Sequence, residues 1–183
     1  MTAARPPYLP GDRAPTGDRA RMIRVDQAGE YGATRIYQGQ LAVLRRGRGA
    51  SAVGEMAVQE ERHLVQFDRL VRERRVRPTA LSPLWHVAGY ALGAATALLG
   101  ERAAMACTVA VEEVIDGHYA RQAEQLGASD PELVATIETA RADEAAHRDL
   151  ALAHDATETP GYELLSAAIK TGARVAIWLS ERL

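Results

Sequence analysis

Gln59-Glu60-Glu61-Arg62-His63 sets a carboxylate and an imidazole three residues apart, so on a helix both project from one face. The spacing recurs in Glu144-Ala145-Ala146-His147, and none of the other histidines has a glutamate three residues before it. Upstream of each copy, at nearly equal distance, stands a lone in-register glutamate, Glu30 before Glu60 and Glu112 before Glu144. A single Glu-x-x-His is ordinarily a surface ion pair. Two copies, each preceded by such a glutamate, ask for a fold in which four segments converge on one interior, and a helical bundle is that fold.

The rest of the chain agrees with helices. Hydrophobic residues make up 47% and aromatics 5%, and alanine, leucine, arginine and glutamate fill many positions. A length of 183 residues suits one domain with a substantial core. Pro6, Pro7, Pro10, Pro15, Gly11 and Gly17 break the first residues too often for a helix, so 1–17 reads as a flexible arm and 18–183 as the domain. The arm lacks the apolar centre of a secretory signal, and Asp12 and Asp18 weigh against an organelle-targeting peptide. With 22 basic and 24 acidic side chains, the net charge of −2 offers no footprint for nucleic acid. The lone Cys107 excludes an intrachain disulfide and a thiolate metal site, and reads as a small core residue.

The first helical seam runs Ile23, Gln27, Glu30, Thr34, Tyr37, Leu41 and Leu44, and Gly47 and Gly49 stop it. A second helix starts near a Ser51 cap, with seam Val53, Met56, Glu60, His63, Phe67 and Leu70. Arg72, Arg74, Arg75 and Arg77 follow, fitting a solvated helix end or anionic lipid headgroups. Leu84 to Gly100 carries no acidic or basic side chain apart from His86. At 17 residues it is too short for a comfortable membrane span, so core, membrane interface and lipid-like substrate are its candidate contacts. Its Gly89-x-x-x-Gly93 permits a close helix contact.

The third bundle helix, from about Arg102 to Leu126, has Met105, Thr108, Glu112, Ile115, Tyr119, Gln122 and Leu126 on its seam, with Gly127 ending it. The fourth begins after Ser129-Asp130-Pro131 and presents Leu133, Ile137, Ala140, Glu144, His147, Ala151 and His154. A last amphipathic helix, Tyr162 to Leu183, could dock on the bundle or lie on a membrane. The expected architecture is all-α: a ferritin-like four-helix bundle, an additional apolar helix between its halves, and a C-terminal amphipathic helix.

Glu30, Glu60, His63, Glu112, Glu144 and His147 thus interrupt four seams that should be apolar. Four buried carboxylates cannot all stay ionised without cations, because each unpaired charge costs several kcal/mol. Two divalent ions balance them, and oxygen and imidazole donors without sulfur suit iron or manganese. One glutamate from each of two helices, with Glu-x-x-His from the other two, is the donor set of di-iron and di-manganese carboxylate bundles. Glu61 and Glu113 are expected to face water, and Asp26 and Asp116 are equally candidates for acceptors of the outer imidazole nitrogens and for helix salt bridges. Tyr37 and Tyr119 each follow a lone glutamate by seven residues. They read as core residues with bonded hydroxyls; the alternative is a proton or electron relay, with Tyr119 and His118, placed near the site mouth, as its residues. His154 reads as a hydrogen-bonded core residue.

Ile23-Arg24-Val25-Asp26-Gln27-Ala28-Gly29-Glu30-Tyr31-Gly32-Ala33, Ala106-Cys107-Thr108-Val109-Ala110-Val111-Glu112-Glu113 and the ending Arg174-Val175-Ala176-Ile177-Trp178-Leu179-Ser180-Glu181-Arg182-Leu183 resemble the demethoxyubiquinone hydroxylase family. The likeness covers about Arg21 to Leu183, and the family's six ligands fall on the same six residues. It implies a monooxygenase with two iron ions that reduces O2 and hydroxylates a polyprenyl methoxy-methyl-benzoquinol in the penultimate step towards ubiquinone. It further implies peripheral attachment to a membrane surface, on the cytoplasmic face of a bacterial inner membrane or the matrix side of a mitochondrial one. A lipid-binding partner protein of the same biosynthesis is implied as well. The external reductant would be a reduced nicotinamide such as NADH, or the quinol itself, and no Gly-rich nicotinamide fingerprint is visible. The competing reading is a ferritin-type iron oxidation and storage protein, against which the long uncharged segment argues. A rubrerythrin-type peroxidase would want a cysteine-ligated iron domain, and a transfer-RNA hydroxylase a basic face.

Overall fold

The computed structural model describes residues 15–183. Most of the arm expected over 1–17 lies outside the described residues; 15–17 open the first helix. Six helices follow: α1 (Pro15–Leu44), α2 (Arg48–Glu73), α3 (Ser82–Leu98), α4 (Glu101–Leu126), α5 (Pro131–Leu152) and α6 (Tyr162–Ser180), with 3-10 turns at Gly127–Ser129 and Ala156–Glu158. No strand occurs among the described residues. Short connections fold α1 back on α2 and α4 back on α5, and these two hairpins form the bundle. The apolar helix α3 packs on α1, and α6 packs on α4.

Helix ends follow local chemistry with one correction. The cap of α2 is Gly47, at φ 107°, and not Ser51, whose N–H already donates to Gly47 O at 3.2 Å within the first turn. The chain reverses early because Arg45 (φ 46°) and Gly47 both take positive φ. Gly49 therefore lies inside α2, buried against the side chain of Glu101. Asp130 caps α5 by accepting from Leu133 N at 3.2 Å, ahead of Pro131. The same carboxylate takes Arg74 Nη2 at 3.0 Å, tying the end of α2 to the start of α5. Arg74 is thus used internally, while Arg72, Arg75 and Arg77 stay exposed.

Two apolar layers sandwich the interior polar residues. One contains Ile23, Phe67, Leu70, Tyr119, Leu133 and Ile137. The other contains Tyr37, Val53, Met56, Met105, Val109 and Ala151. On each bundle helix the glutamate falls between members of the two layers, so the carboxylates meet at one level.

The uncharged helix α3 divides its faces. Gly93 sits so tightly on α1 that an added Cβ would come within 1.9 Å of Ile36 O, and one on Gly89 would meet Gly32 O at 2.9 Å. Its opposite face leaves Leu84, Val87, Leu98 and Leu99 exposed. The helix α6 behaves likewise: Ile169 is buried, whereas Leu164, Val175 and Trp178 are exposed. No helix among the described residues is long and apolar enough to cross a membrane.

Candidate metal centre

The bundle brings Glu30, Glu60, His63, Glu112, Glu144 and His147 together, each at most 3% exposed. They form two overlapping groups, Glu30, Glu60, His63 and Glu144, and Glu60, Glu112, Glu144 and His147. In each group one donor atom per residue lies within 4.8 Å of the others. Glu60 and Glu144 belong to both and stand between the two positions. His63 Nδ1 lies 3.6 Å from Glu30 Oε2 and 3.4 Å from Glu144 Oε1. His147 Nδ1 lies 3.1 Å from Glu60 Oε1 and 3.0 Å from Glu144 Oε2.

Of these contacts only that of His147 Nδ1 with Glu144 Oε2 is a hydrogen bond. Glu30 Oε2, both oxygens of Glu60, His63 Nδ1, Glu112 Oε2 and Glu144 Oε1 are buried without a hydrogen-bond partner. Orphaned atoms of this kind are costly, and here they belong to one cluster. The 3.1 Å approach of Glu60 Oε1 to His147 Nδ1 is not a hydrogen bond: the ring nitrogen pairs with Glu144 Oε2, and both Glu60 oxygens stay unpartnered. Burial, then neighbouring carboxylates, push Glu60 and Glu112 well above the usual range. Burial also raises Glu30. For Glu144 burial acts upwards, but His147 and His63 outweigh it and hold the carboxyl at about 2. Burial would lower His63, yet Glu144 and Glu30 lift it to about 11. Such a cluster relieves its conflict by exchanging protons for cations, and its oxygen and nitrogen donors fit iron or manganese.

The atoms behind the imidazoles differ from expectation. His63 Nε2 lies 2.9 Å from Asp143 Oδ2, and His147 Nε2 lies 2.6 Å from Gln59 Oε1. Asp143 and Gln59 each directly precede the glutamate of a Glu-x-x-His, and each serves the histidine of the other copy. Asp26 instead meets Gln122 Nε2 at 2.8 Å and His118 Nε2 at 3.4 Å, and Asp116 accepts from Arg141 Nε at 2.7 Å. Each aspartate stands four residues, about one turn, along its helix from the lone glutamate, which takes its carboxylate out of the level of the imidazoles. The signal for Gln59 and Asp143 was their shared place before the glutamate.

Tyr119 donates to Glu30 Oε1, and Tyr37 donates to Glu112 Oε1 at 2.8 Å. Burial and adjacent carboxylates hold both phenols well above their ordinary range, so they stay protonated donors. His118 is buried with Asp26 and Gln122, not at a mouth. His154 lies outside the group, its Nδ1 3.1 Å from Glu101 Oε1. Glu61 and Glu113 face water. Cys107 is fully buried, which pushes its thiol up to about 12.

Two cavities flank the centre. An apolar one of about 560 Å³ lies among α1, α3, α4 and α6, with Gly29 and Ala33 beside Glu30 and Val111 beside Glu112 in its wall. Trp85 Nε1 donates to Ser180 Oγ at 2.9 Å, joining α3 to α6 across it. One of mixed lining, about 630 Å³, opens between α2 and α5 and reaches Gln59 and His147.

Fold and site define a ferritin-like helical bundle whose interior carries a carboxylate and histidine group able to bind metal. A family model described as ubiquinone biosynthesis protein COQ7 matches residues 18–180, and the chain belongs to that family. It is 58% identical over 176 residues to the 3-demethoxyubiquinol 3-hydroxylase of Rhodospirillum rubrum, covering 96% of this chain and 83% of that protein. To the human NADPH-dependent 3-demethoxyubiquinone 3-hydroxylase, mitochondrial, it is 53% identical over 167 residues, covering 89% and 77%. The 5-demethoxyubiquinone hydroxylase of Saccharomyces cerevisiae is 43% identical over 180 residues, covering 89% and 77%.

Proposed function

We propose that this chain is an O2-dependent hydroxylase of ubiquinone biosynthesis that adds a hydroxyl group to the ring of a polyprenyl demethoxyubiquinol. The observation that carries the reading is the pair of overlapping Glu and His groups beside a deep apolar cavity, in a chain whose relatives are named demethoxyubiquinol hydroxylases. Those names leave the iron-storage alternative without support.

Glu30, Glu60, His63 and Glu144 would hold one iron ion, and Glu60, Glu112, Glu144 and His147 would hold the other. When bound, the two ions supply activation of dioxygen, with two electrons from outside the chain. The balance is one ring C–H, O2, two electrons and two protons giving one C–OH and water. A reduced nicotinamide suits the donor, as the human relative is named NADPH-dependent. The chain's own residues orient and exclude. Gly29, Gly32 and Ala33 leave room for a planar ring beside Glu30, and the walls from α3 and α6 keep water off it. Tyr119 and Tyr37 hold the lone glutamates by their hydroxyls, and Tyr119, its ring 6.3 Å from that of His118, is with it the candidate relay for protons or electrons.

The exposed apolar faces of α3 and α6 rest on the membrane surface, where the polyprenyl tail enters from lipid. In a bacterium this is the cytoplasmic face of the inner membrane, and in a mitochondrion its matrix side. A lipid-binding partner of the same biosynthesis would deliver the substrate to this face. Deleting the protein is expected to make cells accumulate the demethoxy quinone, with rescue by the intact chain and none by Glu60→Ala. Normal ubiquinone in the deletion would refute the reading.

A further inference from the structure

The six inward-facing side chains are arranged almost symmetrically, but the groups behind the two imidazoles are not equivalent. His63 leans on a carboxylate, Asp143, and His147 on an amide, Gln59. In both rings the outer Nε2 faces this acceptor, which leaves Nδ1 to face the centre. A carboxylate draws the Nε2 proton more strongly than an amide oxygen and makes the inner nitrogen a better donor to metal. The Asp143 side chain is 40% exposed, so water weakens this difference without cancelling it. The shorter distance at Gln59 does not reverse the order, because its oxygen carries no net charge.

A second, independent feature points the same way. The cavity between α2 and α5 is walled by the polar Ser51, Glu55, Gln59, Arg62 and His147 together with Met56, Val58 and Leu150, while His63 and Asp143 are not in its wall. The position beside His147 therefore has an open approach with polar side chains in its wall, on the side away from the apolar cavity. Its imidazole is oriented by a neutral residue that itself lines that approach.

We infer that the two metal positions are unequal: the Glu30 and His63 position holds its divalent ion tightly, whereas the Glu112 and His147 position holds it more weakly and exchanges it through the α2/α5 cavity. Asp143 and Gln59 are the positioning residues that set the difference. This rests on the two-metal reading above. It goes further in ranking the positions and in separating ion exchange from substrate entry on opposite sides of the bundle.

Anaerobic titration of the full metal-free chain with cobalt(II), against a competing chelator, reads the positions separately through their d–d absorption. Wild type is expected to fill in two steps separated by at least about tenfold, the lower end of what an outer partner contributes to metal affinity. Asp143→Asn should move the tight step towards the weak one by about tenfold, Asp143→Glu should restore it, and Gln59→Glu should tighten the weak step. Gly54→Leu, which fills the α2/α5 cavity at a position with open space for a side chain, should slow loss of the weakly held ion to chelator severalfold. Two equal steps in wild type, or a separation untouched by Asp143→Asn, would overturn the inference and leave the two-metal reading standing. Unchanged release from Gly54→Leu would overturn the exchange route. Failure to bind cobalt(II) or iron(II) at all would overturn the two-metal reading and this inference with it.

Discussion

The Tyr37 hydroxyl donates to Glu112 Oε1 at 2.8 Å, across the bundle from the first half of the chain to the second. Tyr119 returns the contact to Glu30, so each lone glutamate is held by the tyrosine of the opposite half. The duplicated order in the sequence is thus interlocked in space.

Removing one clasp tests its structural share. Tyr37→Phe leaves Glu112 Oε1 buried without its donor, and the metal-free chain should lose about 1 kcal/mol in urea unfolding, or up to about 3 if the oxygen stays unsatisfied. A loss below a few tenths would mean that water replaces the hydroxyl.

The centre should couple metal, protons and stability. Glu30, Glu60 and Glu112 are raised above 4.5, so their contribution is complete below that value and is lost as pH rises through their folded values. His63 contributes fully below 6.5 and loses its share as pH climbs towards 11. Glu144 is depressed, so its share is present above 4.5 and disappears as pH falls towards 2. The Tm of the metal-free chain should therefore fall between about pH 5 and pH 8. Saturating iron(II) under anaerobic conditions should release protons on binding and reverse that slope, because metal and protons compete for the same atoms. A metal-free Tm that rises across this range would contradict the assignment.

Helix α3 depends on its glycines. Gly93→Ala forces a methyl group against Ile36 O and should cost about 1–3 kcal/mol in denaturant unfolding. Gly54→Ala in α2 has open space and should instead stabilise by about 0.5–1 kcal/mol. Equal effects at the two sites would show that the close α1/α3 approach does not form.

The exposed face of α3 and α6 should govern lipid binding separately from metal. Leu98→Glu with Trp178→Glu is expected to reduce co-sedimentation with anionic vesicles at least about tenfold, since each loses a large apolar group worth about 1.5–3 kcal/mol on burial. Iron content should remain that of wild type. Undiminished vesicle binding would place the membrane contact elsewhere.

Much of this molecule was legible before any coordinates. Helix periodicity placed the helix starts to within a few residues, although α5 ends at Leu152 and not just before Pro160, and the interrupted seams named the six side chains that the bundle gathers. Both signals are local: a carboxylate three residues before an imidazole shares its helix face whatever the neighbours do. The errors were of another kind. Ser51 looked like a cap because its residue type favours one, but the positive φ of Arg45 and Gly47 turned the chain earlier. Asp26 and Asp116 lay at helical distance from lone glutamates, yet their partners, His118 with Gln122 and Arg141, come from other turns or other helices.

Sequence alone therefore determined the helices, the level at which polar residues break each seam, and the donor types available to a metal. The tertiary structure decided who meets whom: Asp143 behind His63, Gln59 behind His147, Tyr37 on Glu112, and Gly93 against Ile36. The reason is geometric. A helix sets angles and spacings within itself, whereas partners across helices depend on axial register and approach, which only packing of the whole bundle sets.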